Sequence, residues 1–237
     1  MVGIVPAAGK GTRMLGVTGG GPKELLPLGS KTVLERVVAE AYEAGCHSVV
    51  VVGSPEKPGL HALVHSMPGV RYAEQCRPLG LGHAIACSGI RGESALVLMA
   101  DALIWPPGAL RALVRAIEEG AWAGATVRRV ADADVSRYGM VEFGEGGEVV
   151  GLLEKPAPSA TTSRWAVAGR YAFGKDALDA LAHEASLFEG PGEHHPTPLI
   201  QRGIASGQRF AAVPIGDARV LDCGSPEGYR EACAVLC

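Results

Sequence analysis

Val2-Gly3-Ile4-Val5-Pro6-Ala7-Ala8-Gly9-Lys10-Gly11-Thr12-Arg13 opens the chain, and its reading decides how the rest is read. A short apolar run over 2–6 passes without a break into small residues and ends on a cation. The run predicts a buried strand. A turn of small residues at its C-terminal end lets backbone N–H groups approach an anion closely, and Arg13 adds a planar donor fork. The spacing is not a Walker A loop, which needs Gly-Lys-Ser/Thr after a longer spacer, and it lacks the third glycine of a dinucleotide fingerprint. Alone, it reads equally as a tight turn or an anion cradle.

Outward from this loop, Lys23 follows ten residues after Arg13, within Pro22-Lys23-Glu24-Leu25-Leu26-Pro27-Leu28. The stretch 16–21 is too glycine-rich to predict regular structure and reads as a mobile loop over a ligand. Apolar runs at 48–53 and 95–100 predict further buried strands, with a short one at 70–75. Helical spacing of Val33, Leu34, Val37, Val38 and Ala41 predicts a helix over 32–44, with Gly45 after it. Further helices are expected at 58–67, 79–90 and 106–119. The texture then changes to strands at 122–130, 137–143, 148–153 and 165–173, with a hairpin turn at 144–147. Helices at 175–186 and 197–206, strands at 209–214 and 219–221, and a helix from Pro226 complete the pattern. Alternation of strands and helices implies an α/β fold, a Rossmann-like doubly wound mixed sheet, with ligands at strand C-terminal ends. No low-complexity linker divides the chain, so 1–237 reads as a single domain with a small β-rich sub-region. No hexapeptide period is present, so no β-helix domain is expected.

Composition narrows the function classes. The chain has 237 residues, is 47% hydrophobic and 20% charged, and carries a net charge of −3. These are globular values, and nothing in them draws the chain as a whole to nucleic acid or an anionic membrane. No apolar stretch is long enough for a membrane span, and no signal-peptide pattern opens the sequence. The six cysteines, Cys46, Cys76, Cys87, Cys223, Cys233 and Cys237, form no C-x-x-C pair or zinc spacing, which predicts free thiols and a cytoplasmic protein.

The motifs continue well beyond the first loop, and together they carry a resemblance. Residues 6–15 and 22–27, Gln75 with Pro78-Leu79-Gly80-Leu81-Gly82-His83-Ala84, Asp101, Arg137-Tyr138-Gly139, Leu153-Glu154-Lys155-Pro156, 166–171, Asp222-Cys223-Gly224 and Gly228-Tyr229 occur in order across nearly the whole chain. In this they resemble bacterial UTP–glucose-1-phosphate uridylyltransferases and, more widely, sugar-1-phosphate nucleotidylyltransferases. The resemblance implies an enzyme that takes a nucleoside triphosphate and a sugar 1-phosphate as small-molecule partners, with Mg²⁺ as cofactor, working as a homo-oligomer. It implies Arg13, Lys23 and Asp101 as catalytic residues, and Asp101 and Asp222 as metal ligands. Nucleotide contacts fall to Ala7, Ala8, Gly9, Gly11, Thr12, Gln75 and Gly80, within about 1–130. Sugar-phosphate contacts fall to Gly139, Glu154, Lys155 and Gly169, within about 131–225. A phosphate monoester is already anionic, so in-line attack on the α-phosphorus needs no general base, and positioning and charge stabilisation carry the catalysis.

Residue chemistry adds to this. A glutamine amide offers one donor and one acceptor, which suits the imide edge of uracil or thymine and favours UTP or dTTP. Asp101 follows the apolar run 96–100, where an unpartnered carboxylate is costly. Three departures keep alternatives open: the glycines at 19–21, the short segment between Gly53 and Val70, and His195-Pro196-Thr197-Pro198-Leu199 where a Leu-Thr-Asp-like motif is expected beside the sugar. A modified sugar or cyclitol phosphate with GTP or CTP is one alternative; a non-catalytic nucleotide-sugar-binding subunit is another. A glycosyltransferase would show Asp-x-Asp where Asp101-Ala102-Leu103 stands. His83 reads as structural, Tyr171 as core, and His194-His195 as side chains pointing apart rather than a metal site.

Overall fold

The computed structural model describes residues 1–237. In chain order the strands are β1 (Val2–Pro6), β2 (Pro27–Leu28), β3 (Lys31–Thr32), β4 (Ser48–Gly53), β5 (Val70–Glu74), β6 (Ala95–Leu98), β7 (Ala102–Trp105), β8 (Ala123–Arg129), β9 (Gly139–Phe143), β10 (Val149–Glu154), β11 (Trp165–Phe173), β12 (Phe210–Pro214) and β13 (Arg219–Asp222). The helices are α1 (Leu15–Thr18), α2 (Val33–Glu43), α3 (Pro58–His65), α4 (Leu81–Cys87), α5 (Ala109–Glu118), α6 (Lys175–Ser186), α7 (Thr197–Ala205) and α8 (Pro226–Leu236).

One nine-stranded mixed sheet runs β10-β9-β11-β6-β1-β4-β5, with β8 also paired to β11, and β12 to β8. The β1, β4, β5 and β6 pairings are parallel, whereas β11 joins β6, β8 and β9 in antiparallel fashion. Alternate residues of β1, β4 and β6 enter two different cores, one on each face. Val5, Val49, Val51, Leu96 and Leu98 pack with α2, α3 and α5. Ile4, Val50, Val52, Ala95 and Val97 pack with α4 and α6. Burial on both faces is why these strands read as unbroken apolar runs. Thr32 caps α2 in a capping box with Glu35: the Thr32 hydroxyl accepts from Glu35 N and the Glu35 carboxylate accepts from Thr32 N. No helix is long and apolar enough to cross a membrane.

Several expectations shift. Leu15–Thr18 closes one helical turn at the start of the glycine-rich stretch, stopped by Gly19 in the left-handed region, with Leu15 and Val17 left exposed. Strand β6 ends at Leu98, so Asp101 stands in a turn rather than at the strand's end. Residues 102–105, with no place in the sequence pattern, form β7, and α5 starts only at Ala109. Strand β9 starts at Gly139, because 132–137 winds into 3-10 turns.

Candidate active site

Asp101 and Asp222 are brought together by a two-stranded ribbon. β13 pairs antiparallel with β7 so that Asp222 lies opposite Ala102, the residue after Asp101. Cys223 N donates to the Asp101 carbonyl at 2.7 Å, and Gly224 N to Asp222 Oδ1 at 2.8 Å. A Cβ on Gly224 would lie 2.7 Å from Asp101 Oδ2 and 3.0 Å from Asp222 Oδ1. Both carboxylates therefore converge on space that only glycine leaves open. Lys23 closes the group with an ion pair to Asp101 Oδ2. Cys223 is buried beneath them; burial, then the charges of Asp222 and Asp101, push its thiol up to about 12. The donor set is thus two carboxylates open to a cleft, a set that fits a hard divalent cation completed by phosphate oxygens and water.

The turn that carries Asp101 is held from below. Arg170, fully buried, makes two hydrogen bonds to Glu40 of α2, at 3.2 and 2.6 Å, and donates to the Ala102 carbonyl at 2.6 Å. Gly169, beside it, has φ 76° within an irregularity of the β11–β8 pairing. That left-handed residue bends β11 toward the turn, where Met99 N donates to Gly169 O at 3.3 Å.

Two cavities meet at Asp101, sharing Leu81 and Met99. One, of about 230 Å³, brings together Ala7, Ala8, Gly9, Lys23, Gln75 and Gly80. Beneath it Lys23 and Glu24 point in opposite directions: Glu24 turns inward to Lys57, whose Nζ donates to both carboxylate oxygens at 3.0 and 3.1 Å and to the Ala7 carbonyl at 2.7 Å. Gln75 uses its amide nitrogen on Gly80 O at 3.0 Å and on His83 Nδ1 at 2.9 Å, which leaves its carbonyl oxygen as the group offered to a ligand. Burial, with His194 and Arg77 nearby, lowers the His83 pKa and so keeps Nδ1 an acceptor.

The other cavity, of about 300 Å³, is lined by Arg13, Asp101, Gly139, Glu154, Gly169 and Asp222, joined by Arg128, Arg137, Tyr138, Tyr171 and His195. Glu154 Oε2 accepts from Thr197 Oγ1 at 3.3 Å, and His195 Nδ1 lies 2.8 Å from that hydroxyl and 3.6 Å from the carboxylate. His195-Pro196-Thr197 thus borders this cavity, as its place in the sequence led one to expect, and orients Glu154, a contact the sequence pattern did not reveal. His194 points the other way, against Phe188 and the Gly80–Gly82 backbone. Tyr171 is buried yet still lines the wall, and burial raises its phenol pKa.

Three expected residues line neither cavity. Gly11 stands over the Lys23 side chain, Thr12 is exposed, and Lys155 is 63% exposed at the rim with Nζ 3.7 Å from Glu154 Oε1. Lys155 is also the one non-glycine residue with positive φ, 44°, with its N–H on the Tyr138 carbonyl at 3.1 Å. Arg13 faces the cavity of Glu154 rather than that of Gln75. Arg128 and Lys57 belong to no motif, and Arg170 and Thr197, although inside stretches singled out in the sequence, were given no role; the roles of Lys57, Arg170 and Thr197 come from partners distant in sequence.

The family model described as nucleotidyl transferase matches residues 2–237. The chain belongs to this family. A UTP–glucose-1-phosphate uridylyltransferase of Staphylococcus saprophyticus is 31% identical, over 95% of this chain and 88% of its own. A glucose-1-phosphate thymidylyltransferase of Mycobacterium tuberculosis is 32% identical, over 98% of this chain and 81% of its own. A UDP-glucose pyrophosphorylase solved in complex with UDP-glucose superposes with a TM-score of 0.83 at 29% identity, covering 99% of this chain and 97% of that one. This nucleotidyl transferase is therefore an enzyme of the sugar-1-phosphate nucleotidylyltransferase type, with the doubly wound α/β fold of that group.

Proposed function

We propose that the enzyme transfers a nucleotidyl group from UTP or dTTP to a sugar 1-phosphate in a magnesium-dependent reaction. The observation that carries this reading is the convergence of Asp101, Asp222 and Lys23 where the two cavities meet. The cavity of Gln75 takes the nucleotide, mainly on residues before about 130, and that of Glu154 takes the acceptor, mainly on residues after it, with Arg13, Asp101 and Arg128 contributed from the first part. Asp101 and Asp222 would hold the magnesium ion, which when bound supplies positive charge to a triphosphate. An acceptor phosphate oxygen attacks the α-phosphorus while the bond to the bridging oxygen breaks, and pyrophosphate leaves. Lys23 offers a cation to the α-phosphate, and Arg13 with the N–H groups around Gly9 to Thr12 offers donors to the departing pyrophosphate. Lys155 reaches the acceptor phosphate from the rim, and Glu154 accepts from sugar hydroxyls beside Gly139 and Gly169.

The base preference is supported by Gln75, whose free carbonyl oxygen accepts from the imide N–H of uracil or thymine beside the Gly80 backbone. The relatives named for UTP and for thymidylyl transfer point the same way. A homo-oligomer in the cytoplasm fits the same reading. The test is a matrix of five nucleoside triphosphates against sugar and cyclitol 1-phosphates, with pyrophosphate release measured with and without magnesium. Release with UTP or dTTP is expected; release only with GTP, CTP or ATP overturns the base preference, and release undiminished by chelator overturns the metal requirement. No release with any pair refutes the proposed transfer.

A further inference from the structure

Every carboxylate in the acceptor cavity already has a protein partner, but two of its cations do not: Arg13, which is exposed, and Arg128. Asp101 is held by Lys23, Asp222 by the Gly224 N–H, and Glu154 by Thr197, with His195 and Lys155 near it. Arg137 is paired at the surface with Asp134 at 2.8 Å. Arg128 lines the same cavity, forms no ion pair, and its Nε is buried without a hydrogen-bond partner. Its guanidinium is braced over the Tyr138 ring, 5.1 Å from the centroid, with Arg137 against the same ring at 5.6 Å. A buried guanidinium N–H left without an acceptor is costly, and a planar bidentate anion reaching it through the cavity is its natural complement.

Its position along the sheet says which part of an acceptor it meets. Arg128 lies opposite Ala166 in the β8–β11 pairing, three residues before Gly169. That is a displacement of up to about 10 Å at roughly 3.3 Å per residue. Gly169 adjoins the Asp101 turn, where the reacting phosphate belongs. The Arg128 backbone is therefore displaced along the sheet from that turn, on the side of the acceptor cavity away from the reacting phosphate.

Resting on the transfer reaction above, we propose that Arg128 is a specificity-determining residue that selects acceptors carrying an acidic substituent, a carboxylate or a second phosphate, at the end of the sugar away from the transferred 1-phosphate. The two sources share one chemistry, an oxyanion accepting paired N–H donors, and the experiment separates them.

The experiment measures kcat and KM for glucose 1-phosphate, glucuronic acid 1-phosphate and glucose 1,6-bisphosphate with the preferred nucleoside triphosphate, for the enzyme and for Arg128→Met and Arg128→Lys. The expected result is a kcat/KM for at least one acidic acceptor roughly 10- to 100-fold above glucose 1-phosphate, the range of a charge-assisted hydrogen bond. The more active acidic acceptor identifies the substituent. Arg128→Met should remove that ratio, chiefly through KM, and Arg128→Lys should restore part of it. Equal or better use of glucose 1-phosphate overturns the proposal while leaving the transfer reaction intact. So does an Arg128→Met that raises KM for all three acceptors alike, since Arg128 would then hold the shared 1-phosphate. No turnover with any acceptor and any nucleoside triphosphate refutes the underlying reaction instead.

Discussion

The two ends of the cleft are built differently. At the nucleotide end the polar groups are satisfied by one another before any ligand arrives: Gln75 is fixed by Gly80 and His83, and Glu24 by Lys57, which also holds the Ala7 carbonyl. At the acceptor end the carboxylates are paired too, and it is cations that face the open cleft, with Lys155 in a loose 3.7 Å pair to Glu154. Arg128 is unpaired, Lys155 is exposed on a left-handed backbone, and Arg13 is exposed. The contrast teaches that the nucleotide end is rigid before binding, whereas the acceptor end keeps its cations for the substrate.

Removing the junction of the two ends should have the largest effect. Lys23→Ala and Asp101→Ala are each expected to lower kcat by on the order of 10³-fold or more with the circular-dichroism melt preserved, because each removes charge from the reacting centre. Near-normal turnover in either would mean that the ends do not meet there. Next, Lys57→Met should break the contrast itself: it strands the buried Glu24 carboxylate, and chemical denaturation should show a loss of about 3 kcal/mol. A loss below about 1 kcal/mol would show that the nucleotide end is not held by this pair.

Lys155→Gly sharpens the other side. Glycine accepts the positive φ without strain, so stability should rise by about 1 kcal/mol while KM for the acceptor also rises. Higher stability with unchanged acceptor KM would remove Lys155 from the acceptor site. The smallest effect is one of pH. Because the His83 pKa is lowered, Nδ1 keeps accepting from Gln75 below the usual histidine range near 6.5. The KM for the nucleoside triphosphate should therefore stay flat as pH falls from 7 through about 6.5, and a rise centred there would show His83 titrating freely.

Legibility in the sequence follows the same division. Ala7, Ala8, Gly9, Lys23, Gln75 and Gly80 line one cavity; the first three directly follow β1, Gln75 directly follows β5, and Lys23 and Gly80 lie in the short motifs after them, so the local pattern carried them. The acceptor cavity gathers side chains from β8, β9, β10, β11 and the turn before α7. Its motif residues Gly139, Glu154 and Gly169 were legible, as was the segment of His195, whereas Arg128 became meaningful only once strand register placed it.

By itself, the sequence determined the alternation of apolar runs and amphipathic helices, and hence the doubly wound sheet, because periodicity and turn chemistry are local properties of the chain. It also determined the residue types available for phosphate chemistry. Only the tertiary structure decided that the chain leaves β6 at Leu98, turns through Asp101 and returns as β7, where pairing with β13 brings Asp222 alongside. Only tertiary structure buries Glu24 on Lys57 and Glu40 on Arg170, and leaves Arg128 without a partner. These outcomes depend on which distant segments share the low-dielectric interior, and no local spacing records that.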